Sequence, residues 1–186
     1  MENCNSDKNF KKLKSKKIAL IGHMGSGKTI IGKLIAKNFD IEHVDTDSLI
    51  ESNVKLTIRE IFKTKGEKYF REIEEKTILK LNNKENVVLS LGGGAIISEK
   101  IRNFLKKNFI TVFLEVDLDI LIKRLKKNSK RPLILNQDIE KKIKELDIIR
   151  RKYYLLADII CKNTNDTKKT LDEFLNNYKK LNEKNN

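Results

Sequence analysis

The stretch GHMGSGKT, Gly22 to Thr29, lies between the apolar run IALI, Ile18 to Ile21, and a segment of helical periodicity, KTIIGKLIAKNF. It matches the pattern G-x-x-x-x-G-K-[ST], whose glycines let consecutive backbone N–H groups turn into one concavity. A strand directly before this pattern and an amphipathic helix directly after it are the context in which it cradles a phosphate chain. A flexible connection, the alternative, would not need this spacing. The stretch therefore predicts a strand–loop–helix unit that binds nucleotide phosphates.

The second half of this loop supplies the predicted phosphate contacts, together with the dipole and amides of the helix that follows. We expect the Lys28 ammonium to reach the β- and γ-phosphates and the Thr29 hydroxyl to ligate Mg²⁺. The predicted nucleotide-binding residues of the loop are Gly25, Ser26, Gly27, Lys28 and Thr29. His23 and Met24 occupy variable positions of the pattern, and we assign them no chemistry.

The bulk composition predicts one cytoplasmic domain. The chain has 186 residues, 39% of them apolar and 35% charged, as in a single compact domain with a heavily charged surface. No apolar run approaches the ~20 residues of a membrane helix, and the N-terminal residues lack the apolar region of a secretory signal. The two cysteines, Cys4 and Cys161, fit neither a disulfide framework nor a zinc site, and we place Cys161 in the core.

The net charge of +14 raises the alternative of a nucleic-acid partner. Residues 1–17 hold six lysines against two acids, and residues 168–186 hold five against three, so the two ends carry six of the fourteen charges. Ile122–Arg131 has six basic residues and no acid, which fits either a solvated face or a site for a polyanionic ligand. Because the charge is spread in this way, we expect no nucleic-acid partner.

Short apolar runs alternate with helical segments, which predicts an α/β fold with helices on both faces of a parallel sheet. The predicted strands are Ile18–Ile21, Ile41–Asp45, Val87–Leu91, Ile110–Val116 and Asp158–Lys162. The predicted helices are Lys28–Asn38, Thr57–Lys65, Glu67–Asn82, Ser98–Lys107, Leu118–Lys127, Asp138–Tyr154 and Asp166–Lys180. We expect a single domain over residues 17–180, a disordered basic extension over 1–16 and a frayed tail over 181–186.

Two further motifs follow predicted strands. In VDTDSLIE, Asp45 and Asp47 end the second strand, where Asp45 could face Mg²⁺ and Asp47 a substrate hydroxyl. The alternative is that Asp47 only caps the helix that begins at SLIE. In LSLGGGAI, the glycines Gly92–Gly94 would allow a close backbone approach to a ligand, or simply form a tight turn.

Two arginine-containing motifs complete the set. YFREIEE places Arg71 at helical spacing from Glu74 and Glu75, which also fits ordinary surface ion pairing. RPL, Arg131–Leu133, ends the basic run and contains the only proline of the chain. The guanine-reading motifs N-K-x-D and D-x-x-G of GTPase switches are absent from the sequence.

Taken in order, GHMGSGKT, DTD, FREIEE, LGGGA, RPL and the late R-x-x-x-Y-x-x-A-D, which begins at Arg150, resemble shikimate kinase. The resemblance covers roughly residues 17–180. It implies a three-layer P-loop kinase fold with a five-stranded parallel sheet in the order 2-3-1-4-5 and a mobile lid over residues 126–137. It also implies transfer of the γ-phosphoryl group of ATP to the 3-hydroxyl of shikimate, with Mg²⁺, by a cytoplasmic enzyme that we expect to be a monomer.

The resemblance assigns roles to individual residues. Asp47 would hold the accepting hydroxyl, either as the base that takes its proton or only as a positioning group, and Asp45 would lie near Mg²⁺ through water. Arg71 and Arg150 would bind the shikimate carboxylate, with Arg151 as the neighbouring alternative, and Glu74 would hold the arginines. The remaining roles are a wall of the acceptor site for Gly92, Gly93 and Gly94, a lid contact with the phosphates for Arg131, and a position near the adenine for Arg124. The substrate-binding region would span about residues 46–75.

Two other functional classes stay open from sequence. One is another small-metabolite or nucleotide kinase of the same fold, which a panel of acceptors would distinguish from shikimate kinase. The other is a basic ATP-binding regulatory or nucleic-acid-binding protein, which predicts salt-sensitive oligonucleotide binding. Lys152 stands where the shikimate kinase pattern commonly has proline.

Overall fold

The computed structural model describes residues 16–127 and 138–184. Five strands form one parallel sheet in the order β2-β3-β1-β4-β5, which confirms the predicted order. Parallel pairing places Ile18 of β1 opposite Val88 of β3 on one side and Ile110 of β4 on the other. The strands are β1 (Lys17–Ile21), β2 (Glu42–Asp45), β3 (Val87–Ser90), β4 (Ile110–Glu115) and β5 (Ile159–Lys162).

Seven α-helices occur in the described part of the chain. They are α1 (Lys28–Phe39), α2 (Thr46–Val54), α3 (Ile58–Lys80), α4 (Glu99–Asn108), α5 (Leu118–Lys127), α6 (Ile139–Tyr154) and α7 (Thr167–Glu183). Two short 3₁₀ turns, Leu81–Asn83 and Ala95–Ile97, flank β3. In the two described ranges, no helix combines the length and apolar character needed to cross a bilayer.

The sheet buries both faces, which is why its central strands are continuously apolar. Alternate residues of each strand point to opposite faces. Ile21 and Leu89 pack with α3, α4 and α6 on one face, whereas Leu20 and Val88 pack with α1 and α7 on the other. Burying each such side chain stabilises the fold by about 1.5–3 kcal/mol. Cys161 of β5 lies in the second cluster, fully buried as predicted.

Helix α3 bends at Gly66, whose φ of 82° and ψ of 171° interrupt the helical backbone. It begins at a capping box in which the Thr57 hydroxyl accepts a hydrogen bond from the Glu60 amide, and the Glu60 carboxylate accepts one from the Thr57 amide. The predicted stop at Gly66 is therefore a bend between two consecutive helical segments. Ile50 and Ile61 bury this region against Phe70 in a separate small cluster.

Two ends of helices differ from the predictions. Asp45 caps α2, because its carboxylate accepts hydrogen bonds from the Asp47 and Ser48 amides, so the capping role considered for Asp47 is wrong. Helix α7 continues to Glu183, beyond the predicted end at Lys180, because Leu181 packs against the cluster beneath α1 and α7. The predicted frayed tail, residues 181–186, therefore begins within a helix.

Two predicted segments, the N-terminal extension and the lid, lie largely outside the described residues. Residues 1–15 of the predicted extension lie outside the described residues, and the Lys16 carbonyl accepts a hydrogen bond from the Val87 amide at 3.0 Å. Lys126 and Lys127 of the predicted lid end α5, and residues 128–137, which include Arg131, lie outside the described residues.

Candidate active site

A cleft of about 770 Å³ opens at the carboxyl ends of β1, β2 and β3. This is where ligands bind in open parallel sheets, because loops from neighbouring strands meet at that edge. The cleft brings together most of the predicted site residues: Gly25, Gly27, Lys28, Thr29, Asp45, Asp47, Arg71, Gly92, Gly93, Gly94, Arg124 and Arg150. Among the predicted residues it thus combines the phosphate loop, two carboxylates and three guanidinium groups, and Glu51, Glu74 and Arg59 also line it.

The loop between β1 and α1 has the geometry of an anion cradle. Gly27 precedes α1 with φ 91°, and a β-carbon there would lie 2.6 Å from the Asn163 side-chain nitrogen, so only glycine fits. No side chain caps α1, and its first turn carries no acid, which leaves this helix N-terminus suited to an anion. The Lys28 ammonium donates to the carbonyls of Gly22 and His23, each at 2.8 Å.

Ser26 is the one predicted loop contact that the structure does not bring to the cleft. It is fully buried, and its amide donates to the His23 carbonyl at 3.1 Å. Its own carbonyl accepts a hydrogen bond from the Asn163 side chain at 2.7 Å. Through these two hydrogen bonds, Ser26 stabilises the curvature of the loop on its buried side.

Thr29 and Asp45 form a pair of oxygen ligands at the mouth of the loop. The Thr29 hydroxyl donates to Asp45 Oδ2 at 2.7 Å, while Asp45 Oδ1 caps α2. A hydroxyl and a carboxylate are ligands that suit Mg²⁺, which keeps several waters and is completed by substrate phosphates. The described residues contain no group of three or more His, Cys, Asp or Glu side chains that could hold a metal ion alone. The donor set thus fits a magnesium ion that arrives with a nucleotide.

Asp47 lies in the first turn of α2 and lines the cleft, half-buried. Its position is fixed by Thr46, whose hydroxyl donates to the Ser90 carbonyl and accepts from the Gly92 amide. A β-carbon on Gly92 would lie 2.6 Å from Asp47 Oδ1. Only glycine at this position therefore leaves room for the carboxylate where it stands.

Arg71 is held by Glu74, to which its Nη1 donates at 2.6 Å, and by Glu67 at 3.1 Å. Glu74 is 1% exposed and Arg71 is half-buried, so this pair is partly buried and differs from the surface pair considered from sequence. Burial raises the pKa of Glu74 to about 7, against the opposing effect of Arg71. Burial acts to lower the pKa of Arg71, but Glu74 and Glu67 outweigh it, and the pKa of Arg71 is raised.

Arg150 of α6 is 3% exposed and lines the same cleft. Its Nε and Nη1 have no hydrogen-bond partner among the described residues. Burial lowers its pKa, and the nearby positive charge of Arg71 adds to this effect. Arg151, the alternative left open by the sequence, has 43% of its side chain exposed and pairs with Glu115 instead.

The three glycines after β3 allow the guanidinium and the backbone to approach each other closely. A β-carbon on Gly94 would lie within 2.7 Å of three atoms of the Arg71 guanidinium. The Gly93 carbonyl accepts a hydrogen bond from the Tyr154 hydroxyl at 2.6 Å. This turn therefore packs directly against α3, which carries Arg71, and against α6, which carries Arg150.

Arg124 of α5 lies beside the phosphate loop. Its Nη1 donates to the Gly25 carbonyl at 2.9 Å, and its Nε donates to the Asn165 side chain at 2.9 Å. It thereby links the loop to the segment after β5.

Several residues at the site were missed from the sequence. Asn163 supports the phosphate loop, Phe62 and Phe70 add an apolar wall, and His23 forms a buried pair with Asp147. His23 and Asp147 are 124 positions apart, so no local spacing indicates their contact. His43 lies on edge strand β2 and hydrogen-bonds Ser90 at 2.9 Å.

Comparison with known proteins agrees with this geometry. The family model for shikimate kinase matches residues 24–179. A shikimate kinase from Caldicellulosiruptor saccharolyticus is 45% identical over 143 residues, which cover 77% of this chain and 83% of the relative.

Solved structures show the same relationship. A shikimate kinase from Acinetobacter baumannii, in complex with shikimate, matches with a TM-score of 0.84 at 30% identity, over 94% of this chain and 98% of that one. The shikimate kinase of Aquifex aeolicus matches with a TM-score of 0.78 at 36% identity, over 87% and 95%. The ordered motifs, the sheet order and these matches agree, and the chain belongs to the shikimate kinase family.

Proposed function

We propose that this protein transfers the γ-phosphoryl group of ATP to the 3-hydroxyl of shikimate, giving shikimate 3-phosphate and ADP. Membership of the shikimate kinase family supports this reaction, a step toward chorismate and the aromatic amino acids. The observation that carries the proposal is the placement of Arg71 and Arg150 in one cleft with Asp47 and the phosphate loop. This arrangement suits an acceptor that carries both a carboxylate and a hydroxyl.

On the acceptor side, the two guanidinium groups bind the carboxylate. A planar guanidinium presents two parallel N–H donors to a carboxylate, which lysine cannot do. Arg150 has open donors at Nε and Nη1, while Glu74 fixes the direction of Arg71. Gly92, Gly93 and Gly94 line the cleft, and in this proposal their main chain contacts the ring of the acceptor. Of the two adjacent arginines, Arg150 is the one that binds the carboxylate together with Arg71 in this proposal, because Arg150 lines the cleft and Arg151 does not.

Asp47 holds the accepting hydroxyl and orients its oxygen toward the γ-phosphorus. As the new P–O bond forms and the bond to the β–γ bridging oxygen breaks, the hydroxyl proton leaves toward the Asp47 carboxylate. The amides of Gly25, Gly27 and the start of α1 hold the phosphates, and Lys28 exchanges its two carbonyl partners for phosphate oxygens. Mg²⁺ held by Thr29, with Asp45 acting through water, would neutralise phosphate charge.

Two further residues belong to the nucleotide side. Arg124, beside the loop and the segment after β5, lies near the adenine in this proposal. Arg131, on the predicted lid, remains a prediction from the resemblance, because residues 128–137 lie outside the described residues.

We also propose that the enzyme acts as a monomer in the cytoplasm. Support for the monomer is that one chain supplies both the phosphate loop and the acceptor-binding arginines. The cytoplasmic location is proposed because the reaction consumes ATP. Light scattering on the purified protein, with and without substrates, tests the monomer.

A steady-state assay with ATP, Mg²⁺ and shikimate tests the proposed reaction. We expect ADP and shikimate 3-phosphate in equal amounts, and far slower turnover with gluconate or deoxyadenosine, acceptors suggested by kinases of the same fold at 16–18% identity. Turnover with either control acceptor at the rate seen with shikimate, or none with shikimate above background, would contradict the proposal.

A further inference from the structure

A buried histidine–aspartate pair lies directly beneath the phosphate loop. His23, the second residue of the loop, is 3% exposed, and its Nε2–H donates to Asp147 Oδ1 of α6 at 2.9 Å. Asp147 is 9% exposed. Because a carboxylate only accepts hydrogen bonds, this contact fixes the ring tautomer with the proton on Nε2. Nδ1 has no hydrogen-bond partner in the described part of the chain.

The buried surroundings of the ring favour the neutral form of His23. Burial lowers its pKa, Asp147 opposes that effect, and Arg150 and Lys28 add to it. The Tyr154 ring also packs edge-on against the imidazole, at a centroid distance of 5.1 Å. Asp147 also has Arg151 Nη1 at 3.8 Å. The pair is therefore a charge-assisted hydrogen bond from a neutral ring to a carboxylate.

Each member of the pair lies beside one half of the active site. The His23 carbonyl accepts a hydrogen bond from the Lys28 ammonium at 2.8 Å, on the nucleotide side. Asp147 lies one helical turn before Arg150, on the acceptor side, so the two residues share a face of α6.

The glycine turn meets both halves at the same point. A β-carbon on Gly93 would lie 3.2 Å from the Met24 amide nitrogen, 3.3 Å from the Gly22 carbonyl and 3.5 Å from Arg150 Nη1. The phosphate loop, the glycine turn and α6 are therefore in mutual contact, with the histidine–aspartate hydrogen bond joining the first to the last.

We propose that His23 and Asp147 are positioning residues that fix the phosphate loop relative to Arg150, and so couple binding of the nucleotide to binding of the acceptor carboxylate. When phosphates draw Lys28 away from the His23 carbonyl, the loop backbone adjusts, and the ring transmits that adjustment to α6. The inference rests on the proposed function, because it names shikimate as the acceptor. Neither residue contacts the reacting atoms.

Calorimetry tests the coupling directly, by measuring the affinity for shikimate with and without saturating ADP and Mg²⁺. We expect the nucleotide to tighten shikimate binding in the unmodified protein by about fivefold or more. We call the ratio of the two shikimate affinities, with and without ADP and Mg²⁺, the coupling factor. In His23→Phe and in Asp147→Leu this factor falls below about twofold. The double variant shows no lower factor than either single variant, because both changes remove one interaction.

Three further variants separate positioning from simple stabilisation. Asp147→Asn keeps the shape and the acceptor but loses the charge, so it should fold and give an intermediate factor. His23→Gln keeps a donor in place of Nε2–H and should restore part of the coupling. Glu145→Gln removes the same charge from an exposed position of α6 and should leave the factor unchanged. Unfolding temperatures of all variants are recorded alongside.

The outcomes distinguish the inference from the proposed function. Turnover of shikimate by the unmodified protein tests the function alone. If that protein turns over shikimate but shows no coupling, or if folded Asp147→Asn and His23→Phe keep its full factor, the positioning role is wrong. A loss of unfolding temperature with an unchanged factor likewise assigns the pair a purely structural role and overturns the inference.

Discussion

Arg71 and Arg150 share one cleft, but their surroundings differ at the scale of single residues. Arg71 is held in place by Glu74 and Glu67, whereas Arg150 has Nε and Nη1 donors without partners in the described structure. A buried guanidinium with open donors is costly unless an anion completes it. This difference makes Arg150 the stronger anchor for a carboxylate and Arg71 the one with a preset direction.

Replacing Asp47 with asparagine tests its role in the transfer step. Asn keeps the shape but cannot accept the hydroxyl proton, so we expect kcat to fall by about 10²–10⁴-fold, with a smaller change in the KM for shikimate. Steady-state kinetics measure both. Asp172→Asn, the same change at an exposed position of α7, serves as the control. A kcat within tenfold of the unmodified enzyme would limit Asp47 to positioning.

Glu74 predicts a specific pH dependence of stability in the ligand-free protein. Its pKa is raised from 4.5 to about 7 by burial, so between these values the folded state binds more protons at this site than the unfolded state. Its contribution to the free energy of unfolding is therefore fully present below about pH 4.5 and is lost as the pH rises through about 7.

Glu74→Gln removes this titration and supplies the reference. Chemical denaturation of both proteins from pH 5 to 8 should give a difference, unmodified minus variant, that decreases with rising pH and levels off above about 7. A difference that increases with pH would mean that Arg71 dominates and that the pKa of Glu74 lies below its ordinary value.

The sequence indicated most cleft residues because their chemistry is local to a motif. It could not choose between Arg150 and Arg151, since adjacent residues on a helix differ only in which face the fold buries. It could not find His23 and Asp147, because their contact depends on how α6 packs beneath the loop. Ser26 was assigned to the phosphates, but an amide that turns inward has no signature in a pattern of residue types.

At the scale of elements, the bend in α3 joins two parts of the site. The segment before Gly66 carries Phe62, and the segment after it carries Phe70, Arg71 and Glu74. The angle between the segments therefore sets how the apolar wall and the acceptor-binding guanidinium face the cleft.

Gly66→Ala tests this bend. The φ of 82° and ψ of 171° lie in a region that is almost restricted to glycine, so we expect a loss of about 1–3 kcal/mol in stability. For a domain of this size, that lowers the unfolding temperature by about 2–12 °C. Thermal unfolding measures it, with Lys65→Ala at the neighbouring exposed position as control. Equal unfolding temperatures would show that the backbone relaxes without strain.

Strands and long helices were predictable because their apolar periodicity is strong, and α5 matches its predicted bounds, Leu118–Lys127. Helix α2 was indicated only by its first residues, since nine residues give little periodicity and only Thr46 and Ile50 are buried. Asp45 and Asp47 are both good caps by composition. The choice between them depends on where β2 ends, which is decided by pairing with β3.

For the molecule as a whole, a ligand that binds the folded state should raise the free energy of unfolding. A ligand that binds only the folded state at 100 times its Kd adds about 2.7 kcal/mol, which corresponds to about 5–10 °C here. We expect shikimate, and separately ADP with Mg²⁺, to raise the unfolding temperature by such amounts. Arg150→Met should lose the shikimate increment and keep most of the nucleotide increment; loss of both, or of neither, would contradict the assignment.

The place of β1 in the sheet has a consequence for how the protein is made. This strand, at the start of the described chain, is paired on both sides by strands that follow it, beginning at Val87 and Ile110. A nascent polypeptide that has not yet emerged as far as β4 leaves β1 with an open edge. The phosphate loop is also held from Asn163, after β5, so we expect it to reach its final curvature and to capture nucleotide only after that segment has left the ribosome.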